Sequence, residues 1–167
     1  MWMSLRVLGI TKNRKGDQAM NATPLAFTIS LATACACVSA QEKPLVISHE
    51  DPGLEWMPCP DFIPEGCQIA VLQGDPADTN LDIFFKVPGD FEIPPHFHTS
   101  QERMVLVSGT LEVVYENHEK ETISVGEYAY GPAELPHSAY CHAGADCVLY
   151  IGFVAPLDAI PIEGIND

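Results

Sequence analysis

The chain has 167 residues, enough for one domain with an appendage, and its 47% hydrophobic content is enough for a packed core. A formal net charge of −15 excludes nucleic acid and anionic membrane surfaces as natural partners. Fourteen prolines and twelve glycines point to many turns and against long helices.

The charge is uneven. Residues 1–40 carry Arg6, Lys12, Arg14 and Lys15 against Asp17 alone, so nearly all the acidity lies beyond them. "PLAFTISLATACACVSA", Pro24 to Ala40, is apolar, uncharged and too short for a comfortable membrane span. It ends in the small-x-small pattern Val38-Ser39-Ala40. This reads as a signal peptide cleaved after Ala40, with a periplasmic or secreted mature chain from Gln41. Ala32-Thr33-Ala34-Cys35 offers a lipoprotein alternative, and Met20 an alternative start. Cys35 and Cys37 would leave with the leader. The remaining four cysteines, in an oxidising compartment, suggest two disulfides. Of the three pairings we favour the local ones, Cys59–Cys67 and Cys141–Cys147. The second flanks "HAGAD", which reads as a hairpin turn.

Residues 41–66, with prolines at 44, 52, 58, 60 and 64, read as an irregular arm anchored by Trp56. Short strand-like runs then follow at 68–72, 81–87, 103–108, 110–116, 122–125, 127–131, 137–141 and 147–154, separated by turn signals. This is the pattern of an all-β sandwich or barrel over 67–154. The apolar tail, 155–167, packs on the barrel or serves a dimer contact. Exposed strand edges make a homodimer the default.

The chemistry concentrates in "PPHFHTSQERMVLVSG", Pro94 to Gly109. Residues two apart on an extended chain point the same way, with a rise of roughly 3.3 Å each. His96 and His98 therefore project together, at a separation suited to one metal ion with bonds of roughly 2.0–2.1 Å for zinc. Pro94 and Pro95 keep the segment extended. Glu102 follows a short polar bend and can return a carboxylate to the same point. Met104 and Leu106 then line the interior, with Arg103, Val105 and Val107 facing away. His137, after Pro132 and Pro136, heads another strand and can complete the set. Three imidazoles and one carboxylate leave positions open for water, substrate or dioxygen. The donors suit one divalent transition-metal ion: Zn, Fe, Mn, Ni, Co or Cu. His49, His118 and His142 read as an arm residue, a solvated residue and an outward-facing one. Tyr128, Tyr130 and Tyr140 read as packing.

The spacing is Gly89, six residues, His96-Phe97-His98, three residues, Glu102, six residues, Gly109. Further on it is Gly126, five residues, Pro132, four residues, His137. These segments resemble the two motifs of the cupin superfamily, in its small, exported, single-domain bacterial form. The resemblance implies a double-stranded β-helix, or jelly-roll, barrel. It also implies a divalent metal held at His96, His98, Glu102 and His137. Three departures stand out: one extra residue between Gly89 and His96, Glu134 in place of a usual glycine, and Cys141 where asparagine is frequent.

The functional expectation is a metalloenzyme of dioxygenase, isomerase or lyase type, with Glu102 as ligand or base. Its substrate would be a small chelating phenol, enol or hydroxy acid. The alternatives are a non-catalytic ligand-binding or metal-sensing module and a barrel with a vestigial site. The last is disfavoured because a polar constellation in an apolar barrel costs free energy unless something occupies it.

Overall fold

The computed structural model describes residues 43–164. The expected leader, its cleavage site, Cys35 and Cys37 lie outside them. Among the described residues there are eleven strands and no helix: β1 (Trp56–Pro58), β2 (Gln68–Gln73), β3 (Leu81–Val87), β4 (Phe91–Phe97), β5 (Glu102–Ser108), β6 (Leu111–Tyr115), β7 (Glu121–Ile123), β8 (Tyr128–Gly131), β9 (His137–Cys141), β10 (Cys147–Phe153) and β11 (Ile160–Pro161). They form two antiparallel sheets, ordered β1-β2-β3-β10-β5-β8 and β11-β4-β9-β6-β7. This is the jelly-roll expected from the sequence.

Alternation builds the core. Leu81, Ile83 and Val87 of β3, Met104 and Leu106 of β5, and Leu149, Ile151 and Phe153 of β10 are buried. They meet Phe91 and Ile93 of β4 and Leu111 and Val113 of β6 from the second sheet. Each fully buried side chain of this size contributes roughly 1.5–3 kcal/mol. Arg103 faces solvent, as its parity requires.

The arm is less irregular than its prolines suggest. It supplies β1, which pairs with β2 at the sheet edge. Trp56 packs with Phe84 and Val148 in a second, smaller cluster on the outer side of that sheet. The Lys86 ammonium lies 4.0 Å from the centroid of its ring. At the other end of the chain, β11 pairs with β4, so the tail packs on the barrel.

Both local disulfides are present. Cys59–Cys67 ties the arm to the start of β2. Cys141–Cys147 corrects one expectation. The turn between them is not a hairpin within one sheet, because β9 and β10 belong to different sheets. The bond therefore staples the two layers together, with both cysteines fully buried.

A second correction concerns the tyrosines. Tyr128 and Tyr130 are 61% and 49% exposed, not packed. Small Ala129 and Gly131 take the inward positions of β8, since Gly131 lies opposite Glu102 and there is little room beside it. Tyr140 is half-buried, with its hydroxyl donating to Asp90.

Candidate metal centre

The site begins with a shift of parity on β4. Phe91 and Ile93 point inward at odd positions, yet His96 and His98 are also buried, at even ones. The register explains the switch. Ile93 pairs with Ala139 and His96 with His137, so three steps on β4 match two on β9. Pro94 and Pro95 occupy this bulge, where a missing N–H does least harm to the ladder. The extra residue after Gly89 is thus accommodated by the bulge that turns both histidines inward.

The bend after His98 is fixed from the tail. Ser100, fully buried, accepts hydrogen bonds from the Val154 and Ala155 amides at 3.0 and 3.1 Å. Asp158 accepts from the Thr99 amide at 2.9 Å and from its hydroxyl at 2.7 Å. Across the site, Glu134 holds φ +60°, the left-handed conformation that glycine would supply more cheaply. Its amide donates to the His98 carbonyl at 2.7 Å. The turn before β9 is therefore kept despite the missing glycine.

The four expected residues converge. His96, His98 and His137 offer nitrogens that all lie within 4.8 Å of one another. The Nε2 atoms of His96 and His98 are 3.1 Å apart. Glu102 Oε1 lies 3.3 Å from His98 Nε2, and its Oε2 lies 3.5 Å from His137 Nε2. All four side chains are buried.

Each imidazole is oriented through its other nitrogen. His96 Nδ1 donates to the Pro94 carbonyl at 2.7 Å and His137 Nδ1 to the Leu135 carbonyl at 3.0 Å. His98 Nδ1 donates to the carbonyl of Asp158, in the tail. A carbonyl can only accept, so the protons sit on Nδ1 and the Nε2 lone pairs are bare. Once Glu102 is ionised, three lone pairs and a carboxylate face one another with no donor among them. A cation resolves that arrangement, and the 3.1 Å Nε2 separation suits two ligands on one ion with bonds of roughly 2.0–2.1 Å. The residues present fit a divalent metal.

Burial sets the charge state without an ion. Desolvation lowers His96, takes His98 down to about 4 and takes His137 down to about 3, the last also opposed by its histidine neighbours. Desolvation pushes Glu102 up to about 8. The contacts of Glu102 with His98 and His137 are accordingly between neutral groups at pH 7, not ion pairs. A bound cation inverts this logic and favours the carboxylate.

A family model of the cupin domain matches residues 84–153, which carry His96, His98, Glu102 and His137. These residues are a cupin domain. The solved structures similar to this cupin include the DMSP lyase DddQ from Ruegeria pomeroyi. It aligns at 16% identity and TM-score 0.58 over 66% of this chain and 63% of that one. The polyketide cyclase RemF from Streptomyces resistomycificus aligns at 18% identity and TM-score 0.58, over 74% and 89% respectively. A cupin 2 conserved barrel domain protein from Rhodopseudomonas palustris gives 13% identity and TM-score 0.54, over 65% and 77%. These likenesses are of fold. The alignment spans less than two thirds of the DMSP lyase's own length. No curated protein sequence matches the chain.

The cupin barrel encloses a cavity of about 390 Å³ with the histidine cluster in its wall. The rest of the wall is mostly aliphatic and aromatic, including Ile69, Val71, Phe85, Val113 and Phe153. Among the described residues, no lysine or arginine lines it. Exposed Met57, Pro58, Pro60 and Pro76 also line it, so it reaches the surface beside the arm. Two lining residues escaped the sequence reading. Tyr115 ends β6 opposite His137, and its phenol is held above its ordinary value by burial and then by Glu102. Asp158 comes from the tail. The alternation of "TLEVVYE" could have flagged Tyr115; nothing local flags Asp158.

Among the described residues, no helix is long and apolar enough to cross a membrane.

Proposed function

We propose that this cupin is an exported protein that binds one divalent transition-metal ion through His96, His98, Glu102 and His137. It acts as an enzyme of dioxygenase, isomerase or lyase type on a small organic substrate that chelates the ion. The observation that carries this reading is the convergence of three bare Nε2 atoms and one carboxylate in the wall of a mostly apolar cavity. When bound, the ion supplies Lewis-acid or redox chemistry to a chelated substrate.

The chain's own residues account for binding. The apolar wall holds the substrate body, and the absence of cations from it disfavours molecules with several phosphates or carboxylates. Glu102 is the ionisable side chain nearest the imidazoles, so it carries any proton exchanged there. The DMSP lyase and the polyketide cyclase of similar fold agree with an enzyme that handles small organic molecules. Two disulfides support export to an oxidising compartment. The unpaired outer edges of β7 and β8 support a homodimer. One observation favours a non-catalytic binder instead: few acid–base groups besides Glu102 line the cavity.

The test is elemental analysis of the chain from Gln41, purified without chelators or a metal-carrying tag, beside a His96→Ala, His98→Ala variant. We expect close to one ion per chain, lost in the variant. The element found selects a panel of chelating substrates, and turnover separates enzyme from binder. No metal after reconstitution with each candidate ion would sink the reading.

A further inference from the structure

We propose that Tyr115 is a positioning residue for Glu102, its hydroxyl donating a hydrogen bond to Oε2 when the carboxylate turns toward a bound ion. This rests on the four-ligand reading above and adds a partner behind the ligands.

The first observation is an orphan. Among the described residues, the Tyr115 hydroxyl is the one buried side-chain polar atom without a hydrogen-bond partner. A hydroxyl shut away from water and left unpaired costs free energy, so phenylalanine would serve packing alone better. The second is where that hydroxyl sits. A methyl placed on Gly131 would lie 2.9 Å from Glu102 Oε2 and 3.3 Å from the Tyr115 oxygen. Both oxygens thus border the same small space beside the Gly131 Cα. The third is register. Glu102 pairs with Gly131 across β5 and β8, and Tyr115 pairs with His137 across β6 and β9, with their rings 5.3 Å apart. Two sheets therefore bring donor and acceptor to one point, and the glycine keeps it clear.

The chemistry is complementary. A carboxylate oxygen only accepts, and a phenol donates readily. Because the Tyr115 oxygen has essentially no accessible surface, it addresses Glu102 and not a molecule in the cavity. With Oε2 held from behind, the carboxylate is aimed at the imidazoles. This is how partners of metal ligands commonly act.

Tyr115→Phe keeps the ring against His137 and removes only the hydroxyl. Zinc affinity is read by chelator competition, cobalt(II) geometry by the visible absorption of the cobalt-loaded protein, and folding by the thermal midpoint of the metal-free protein. We expect zinc affinity lowered about 10–100-fold, an altered cobalt spectrum, and a metal-free midpoint unchanged or raised. Gly131→Ala, which forces the two oxygens apart, should lower zinc affinity in the same way. Wild-type affinity and spectrum in Tyr115→Phe would overturn the role of Tyr115 and leave the four-ligand site standing. A metal-free midpoint that falls along with affinity would mark a merely structural tyrosine and also overturn it. A wild-type protein that binds neither ion would bring down both readings together.

Discussion

Three of the six histidines meet inside the barrel and three stand outside it, and one local anchor recurs in both sets. His96 and His137 each donate Nδ1–H to the carbonyl two residues back, at 2.7 and 3.0 Å. Exposed His118 does so too, to Glu116 at 2.7 Å. His142 even has a carboxylate within reach, with Glu112 3.8 Å away. His49 packs its ring against Phe84. A carbonyl-anchored ring is therefore not what makes a site. Burial and convergence do. Inside, desolvation strips the imidazoles of protons and β-sheet register aims three Nε2 atoms at one point. Outside, the same anchored ring at His118 faces water.

His98 sharpens the comparison most, because its anchor is not local. Its Nδ1 meets the carbonyl of Asp158, sixty residues away, and the Asp158 carboxylate grips Thr99 beside it. Asp158→Ala frees the tail segment and with it the His98 ring. We expect metal affinity to fall about tenfold, the low end for partners of metal ligands. The metal-free midpoint should move little, since Asp158 and Thr99 meet at the surface. Chelator competition checks this; an unchanged affinity would mean that strand β11 alone fixes the tail.

The burial half of the argument predicts a pH dependence. In the metal-free protein Glu102 is raised from 4.5 to about 8, so its contribution to stability is present below pH 4.5 and is lost as pH rises through about 8. His98 and His137 are lowered from 6.5 to about 4 and about 3. Their contribution is present above pH 6.5 and is lost as pH falls through those values. Between pH 7 and 9 Glu102 alone among these slopes, and it destabilises the metal-free fold as pH rises. An ion that favours the carboxylate removes that loss. The gap in thermal midpoint between zinc-loaded and metal-free protein should widen from pH 7 to 9. A constant gap would show that Glu102 is not bound to the ion.

Much of this was legible in the chain and some was not, for identifiable reasons. The alternation of "LDIFFKV", "RMVLVS" and "CVLYIGFV" gave strands because half-buried strands have a period of two. The spacing of His96, His98 and Glu102 gave the candidate ligands because they lie within seven residues of one another. Strand β1 was hidden by Pro58. The outward tyrosines of β8 are not legible, because "EYAYG" alternates in either sense. Only the register opposite Glu102 shows that the small residues must face in. The Cys141–Cys147 pair was legible from its spacing, but that it joins two sheets, and that Asp158 reaches His98, are products of topology and leave no local trace.

The smallest expected effect is the one that could most directly break the comparison. If an anchored ring were sufficient, His118 would contribute to metal binding. If a nearby carboxylate were sufficient, His142 with Glu112 would do so. On the burial argument neither does, because water competes for an exposed imidazole and no second ring converges on it. His118→Ala and His142→Ala should each leave metal stoichiometry at the wild-type value and shift stability by no more than about 0.5 kcal/mol, the range for surface changes. Elemental analysis and denaturant melts check both. Loss of metal in either variant would place a ligand on the outer surface, and the argument from convergence inside the barrel would fail at its base.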